Sequence, residues 1–243
     1  GVFLGDDFTV RRSTFTNNGV TGIGGTEVHG GLIERNVISG NGFQQADGEY
    51  GNGAGIKLTQ SGSPERPVVV RHNELFGNDE IAVWFDVGCN GFEVINNYIH
   101  DQRSQAVMVE ISGNGLIQGN LLVNVNTWSD FRRDFNAGAV TVGESRDVTV
   151  EGNFIEGAVS GVVVRQTRRP LPQESFLYNF DNVSFQAQRV VVRNNNLVGV
   201  QSMGISTGAT GNGLIPDASS IKFENNRYSN AGAVQFWWDG GAN

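Results

Sequence analysis

Val94-Ile95-Asn96-Asn97-Tyr98-Ile99 spells apolar-x-x-Asn-x-apolar, and the rest of the chain repeats that spacing. It recurs as Ile33-…-Asn36-…-Ile38, Val70-…-Asn73-…-Leu75 and Ile117-…-Asn120-…-Leu122. It returns as Val150-…-Asn153-…-Ile155, Val192-…-Asn195-…-Leu197 and Phe223-…-Asn226-…-Tyr228. Val10-…-Ser13-…-Phe15 fits as well, with Ser in the Asn slot. Neighbouring slots lie 23 or 24 residues apart where the spacing is short (13 to 36, 73 to 97, 97 to 120). Elsewhere the same unit carries an insertion. A period in the low twenties, rich in Val, Ile, Asn and Gly, means short strands joined by corners rather than helix pairs. Leucine-rich repeats share the period, but their Leu-x-x-Leu-x-Leu spacing is absent. The expected fold is all-β: one solenoid domain over residues 1–243, of roughly eight coils with loop insertions.

The Asn slot has a physical reading. A parallel solenoid stacks equivalent residues about 4.8 Å apart. An amide carries both donors and an acceptor, so stacked Asn side chains bond along the column. Asn also tolerates the left-handed backbone of a corner.

Composition narrows the partners. Gly is frequent, with 34 residues, which suits many tight corners. Charged residues make up only 17% of the chain, which argues against long solvated helices. The net charge of −8 makes nucleic acid a poor partner. One cysteine, Cys89, excludes an internal disulfide and reads as a buried structural thiol. No apolar run of about 18 residues occurs, so no membrane-spanning helix is expected. The chain begins and ends inside repeats, which reads as a piece of a longer secreted or cell-surface protein, with open coil ends suited to end-to-end self-association.

A second pattern lies between the Asn slots: small, apolar, x, apolar, x. It appears as Gly55-Ile56-Lys57-Leu58-Thr59, Ala82-Val83-Trp84-Phe85-Asp86 and Ala106-Val107-Met108-Val109-Glu110. It appears again as Ala139-Val140-Thr141-Val142-Gly143 and Gly161-Val162-Val163-Val164-Arg165. Strand side chains alternate, so the apolar second and fourth residues face the core. The third and fifth are expected to face solvent. Stacking the coils then makes two outward columns, Lys57-Trp84-Met108-Thr141-Val163 and Thr59-Asp86-Glu110-Gly143-Arg165. Asp86 and Glu110 fall in one slot on adjacent coils. Insertions at 40–53 and 124–137 on one edge, and at 60–67 and 166–188 on the other, flank this short-looped floor and are expected to wall a cleft. His29, just after the outward Glu27, is expected at the cleft edge, whereas His72 and His100 sit near the Asn corners.

With these repeats in place, the chain resembles right-handed, single-stranded parallel β-helices of the pectate-lyase-like superfamily, and within it the secreted bacterial β-helix repeat proteins. The resemblance covers almost the whole chain. It implies a polysaccharide partner, through catalysis, adhesion or glycan binding. The signatures of individual families are missing. Trp84-Phe85-Asp86-Val87 lacks the His of the Trp-Ile-Asp-His stretch of pectate lyases. The Asn-Thr-Asp, Asp-Asp and Gly-His-Gly set of polygalacturonases is absent, and so is the Asp-Pro-His-Asp of alginate epimerases.

Three functions remain open. Glycoside hydrolysis needs one protonated and one ionised carboxyl group, which Asp86 and Glu110 supply. Lys57 assists them, Trp84 forms a sugar platform, and Arg165, Thr59, Met108 and His29 bind substrate. This reading needs no cofactor or metal. In the alternative, a polysaccharide lyase, Lys57 is the base and Asp86 with Glu110 holds Ca²⁺. The third is a non-catalytic glycan-binding, adhesive or filament-forming solenoid.

Overall fold

The computed structural model describes residues 1–44, 53–127, 137–166, 186–207, 218–229, 235–238 and 241–242. Three sheets run the length of the molecule, and each successive strand of the chain joins the next sheet in turn. The first sheet contains Thr21–Thr26, Ala54–Thr59, Ile81–Asp86, Val107–Glu110, Val140–Gly143 and Ser160–Gln166 in spatial order. The second contains Gly31–Glu34, Val68–Arg71, Asn90–Ile95, Gly113–Gln118, Arg146–Glu151 and Gln188–Arg193. The third is built from strands such as Val37–Ser39, Glu74–Phe76, Tyr98–His100 and Leu121–Val123. Pairing between coils is parallel throughout, and only the closing pair Gln235–Trp238 and Gly241–Ala242 is antiparallel. The expected coils are therefore present, and the all-β parallel solenoid with them.

The core is a narrow column of inward side chains. Ile56, Leu58, Val83, Phe85, Val107, Val109, Val140 and Val142 from the first sheet meet Val68, Val70, Phe92, Val94 and Ile117 from the second. Phe85 and Phe92 stack with ring centroids 4.2 Å apart, joining the two sheets across the interior.

All the corners follow one rule: a residue in the left-handed region precedes a side chain that stacks. Between the second and third sheets the Asn ladder forms as expected. Asn73 Nδ2 donates to Asn97 Oδ1, Asn97 to Asn120 (both 3.0 Å) and Asn120 to Asn153 (2.9 Å). Each Nδ2 also donates to a carbonyl of the preceding coil, as Asn97 does to Val70 at 2.9 Å. The backbone explanation needs correction, however. The ladder Asn residues are not the left-handed ones. That conformation falls on the residue before each: Arg12, Arg35, His72, Asn96, Gly119, Gly152, Asn194 and Asn225. The ladder Asn is selected for its amide alone.

Two further columns were not anticipated. Between the third and first sheets, Asn18, Asn41, Asn78 and Gln102 form a second amide ladder. Between the first and second, the hydroxyls of Ser61, Ser112 and Ser145 accept the amide N–H groups of Val28, Cys89 and Ser112. Cys89 occupies the same column, buried, with its thiol donating to the Leu58 and Asp86 carbonyls. Desolvation pushes the thiol up to about 12. Native protein is therefore expected to resist a thiol reagent at neutral pH and to react once unfolded. Rapid labelling of folded protein would contradict that placement.

Surface carboxylates tie neighbouring coils. The His29 backbone N–H holds Asp6 below its ordinary value of 3.8, a hydrogen bond from His100 does the same for Asp101, and one from Arg189 does so for Asp147. Carboxyls depressed by folding stabilise the native state above their unfolded value and lose that contribution as pH falls through the folded one. Stability in urea is thus expected to decline as pH drops below about 4. Asp147→Asn should flatten that acid limb; an unchanged limb would show that the Arg189 contact contributes nothing.

Candidate functional site

The first sheet carries the predicted columns in the predicted register. Lys57 pairs with Trp84 and Trp84 with Met108. Thr59 pairs with Asp86, and Gly143 pairs with Glu110 on one side and Arg165 on the other. Asp86 and Glu110 are each one residue beyond the pair Phe85–Val109, so they share a slot on adjacent strands.

Side-chain contacts divide the charges into two groups. Lys57 Nζ lies 3.1 Å from Asp86 Oδ2. Arg165 Nη2 lies 3.1 Å from Glu110 Oε1 and 3.5 Å from Glu144 Oε2. Each carboxylate of the central pair therefore has its own cation, on the side away from the other. Arg165 and Glu110 sit on strands that are not neighbours, with the Gly143 strand between them. Gly143 makes their contact feasible. A Cβ there would come 3.1 Å from Arg165 Nη2 and 3.2 Å from its Nε, so the guanidinium lies where a side chain would stand. Gly143→Ala is expected to move Arg165 off Glu110 while stability stays close to wild type, and a structure of the variant that kept the 3.1 Å contact would contradict this.

Glu144 was not foreseen. It is fully buried, its backbone lies at φ 47°, and it follows the strand rather than belonging to the alternation. The same corner holds Val87 at φ 22° and Ile111 at φ 48°, directly after Asp86 and Glu110. β-Branched residues are rare outliers in this region, and strain of about 1–3 kcal/mol per residue tends to collect at functional sites.

The outward faces differ from expectation. Trp84 was expected to stand exposed as a platform, but only 6% of it is accessible, and Met108 is 5% accessible. Trp84, Met108 and Ile81 form a separate buried apolar cluster on the outer side of the sheet. Thr141 and Val163 in the same column are buried too, and so in the other column is Glu110, 6% accessible where solvent was expected. At Trp84, Lys57 Nζ caps the ring 3.6 Å from its centroid, a cation–π contact. One ring face is thus occupied. Two buried donors at this face, Trp84 Nε1 and Arg165 Nε, have no hydrogen-bond acceptor among the described residues. Buried N–H groups without acceptors are uncommon and need an explanation.

Thr59 lies beside Asp86 and bonds through its hydroxyl to Thr26 at 2.9 Å. His29 is not brought to the carboxylates by any described contact. Asp6 accepts its backbone N–H at 2.7 Å, and Arg66 donates to its carbonyl. Of the four insertions expected to wall a cleft, 60–67 is described, whereas most of 40–53, 124–137 and 166–188, with Asp47, Glu49, Tyr50, Trp128, Asp130, Arg132, Arg133, Asp134, Arg168 and Arg169, lies outside the described residues. Among the described residues, no group of three or more His, Cys, Asp and Glu is arranged to hold a metal ion. Among the described residues, no helix is long and apolar enough to cross a membrane.

Comparison with known proteins gives a consistent picture. Two solved structures similar to this chain are the periplasmic alginate epimerase AlgG and a point mutant of it. AlgG aligns with a TM-score of 0.60 at 20% identity over 93% of this chain. The mutant gives 0.61 at 20% identity over 94%. Both alignments cover 46% of the epimerase, so this chain spans about half its length. At that identity the likeness is one of fold. No curated protein matches the chain. The model of the right-handed β-helix region matches residues 1–155 and 87–243, and with three parallel sheets wound through every described coil, the chain belongs to the right-handed β-helix family.

Proposed function

We propose that this protein acts on a polysaccharide at the outer face of the first sheet, and that the reaction is glycoside hydrolysis by Asp86 and Glu110. One observation carries the reading: two carboxylates in the same slot of adjacent strands, each held by a separate cation. The different cations suggest different roles. Arg165 does not release its proton, so it presents a permanent positive charge 3.1 Å from Glu110 and stabilises its ionised form. Glu110 is therefore the nucleophile or base. Hydrolysis requires the other carboxyl group to arrive protonated, so delivery of a proton to the leaving glycosidic oxygen falls by elimination to Asp86, with Lys57 beside it at 3.1 Å. Adjacent strands keep the carboxyls close, which favours the retaining geometry over the wider inverting one.

The similar fold of AlgG, an alginate epimerase, supports a polysaccharide as partner, and its periplasmic setting supports a location outside the cytoplasm. The Asp-Pro-His-Asp of the epimerases is absent, so epimerisation is not part of the proposal. A lyase reading retains one supporting observation: Lys57 and Arg165 supply the base and the carboxylate-neutralising cation that uronate elimination requires. Its Ca²⁺-dependent form has less support, because Asp86 and Glu110 already face cationic side chains.

A panel of acidic and neutral polysaccharides separates these readings. New reducing ends without ultraviolet absorbance from an unsaturated sugar are expected. Absorbance would move the assignment to a lyase. Binding with neither signal would overturn catalysis and leave a glycan-binding solenoid.

A further inference from the structure

The corner between the second and third sheets contains a feature that neither the core nor the candidate site explains. Its left-handed position is filled by Asn or Gly in the later coils: Asn96, Gly119, Gly152, Asn194 and Asn225. These are the residues that tolerate such a backbone. In the first three coils the same position holds Arg12 at φ 53°, Arg35 at φ 54° and His72 at φ 54°. The sequence thus accepts a backbone penalty at successive coils where Asn would avoid it.

The charges add to that penalty. Arg11 pairs in register with Glu34 and Glu34 with Arg71, so Arg12, Arg35 and His72 follow as the next stacked row. Their coils rise by about 4.8 Å each. Arg11, Arg12, Arg35 and His72 are exposed. Of the carboxylates at this corner, Glu34 is engaged by Arg71 at 2.9 Å and lies 4.0 Å from His72. Like charges stacked at this spacing repel one another. On a chain of net charge −8, two arginines in strained positions on successive coils call for an external anion.

We propose that Arg11, Arg12, Arg35, Arg71 and His72 form a binding stripe for a linear carboxylated polysaccharide, a polyuronate. The stripe lies at a different corner from Asp86 and Glu110, so it is a second contact for the chain. It rests on the polysaccharide reading above. A polyuronate presents one carboxylate per sugar along an extended backbone, a repeat of the same order as the rise between coils. Guanidinium groups bind carboxylates through paired N–H donors. Nucleic acid is the poorer fit, because the surrounding net charge repels a dense polyanion and no aromatic side chain interleaves the row.

Asn is the informative substitution, because it relieves the backbone while removing the charge. The Arg12→Asn, Arg35→Asn double variant is expected to be at least as stable as wild type in urea. Its affinity for sodium polygalacturonate or alginate, measured by titration at low salt, should fall by about tenfold, and wild-type binding should weaken steeply with added salt. Arg227→Asn, which removes an exposed arginine of the third sheet away from this row, should keep the affinity, and because titration reads the stripe while reducing ends read Asp86 and Glu110, a failed stripe is distinguished from a failed catalytic site. Unchanged polyuronate affinity in the Arg12, Arg35 variant would overturn the proposal. So would binding of single-stranded DNA through these residues in preference to polyuronate.

Discussion

Glu110→Gln is expected to reduce turnover on the preferred polysaccharide by on the order of a thousandfold, the scale of losing a positioned acid–base or nucleophilic group. Gln preserves the shape of the side chain and removes only its charge. Arg165 would retain Glu144 at 3.5 Å, so the guanidinium stays anchored. Stability should fall by only about 1–3 kcal/mol, the range for a charged hydrogen bond. A large loss of turnover with a modest shift in the urea midpoint therefore marks a chemical role. Asp86→Asn is expected to act similarly and, because Asp86 is the proton donor, to remove the alkaline limb of the pH–rate profile. Equal losses of activity and folded protein would instead mark both residues as structural.

Asn120→Ala should destabilise the protein by about 3–5 kcal/mol, as several buried polar groups lose partners worth about 1–3 kcal/mol each. Asn120 Oδ1 accepts from the Asn97 backbone at 2.9 Å and from Asn97 Nδ2 at 3.0 Å. Its own Nδ2 donates to Asn153 Oδ1 at 2.9 Å and to the Val94 carbonyl at 2.8 Å. Truncation leaves two Asn97 donors and the Val94 carbonyl short of partners where water does not reach. Asn153 Oδ1 keeps the backbone N–H of residue 120, also at 2.9 Å, which limits the cost. The same change at Asn226, whose bonds to Asn195 are only partly buried, is expected to cost clearly less. Urea denaturation of both variants tests this gradient, and equal losses at both sites would contradict a load carried by buried amides.

The fold was legible because the Asn ladder repeats with fixed apolar flanks, and those flanks are the strands of two sheets. Its hydrogen bonds could be foreseen from the amide, but its backbone could not. The corner places the left-handed residue one position earlier, where Arg12 and His72 give no sign of it. The second ladder was overlooked because its column mixes Asn18, Asn41 and Asn78 with Gln102. The serine column was hidden by Cys89 and Val28, which share its slots.

Register was the part of the site that sequence alignment supplied, since alternation fixes which residues share a face. Exposure was not. Alternation distinguishes the inner from the outer side of a sheet, but it does not reveal that Trp84 and Met108 are covered on the outer side. The reach of Arg165 back to Glu110 did leave a sign, in Gly143, the one slot in the run from Asp86 to Arg165 without a side chain. Glu144 left none, because a corner residue lies outside the alternating pattern and its contact with Arg165 is not visible in the spacing.

A crystal structure of the Glu110→Gln variant with an oligosaccharide of the preferred substrate tests the central claim most directly. The sugar chain is expected on the outer face of the first sheet, with a glycosidic oxygen within hydrogen-bond reach of the Asp86–Lys57 pair and the anomeric carbon facing residue 110. A sugar chain seated on the second or third sheet, with the Asp86 and residue 110 side chains untouched, would contradict it.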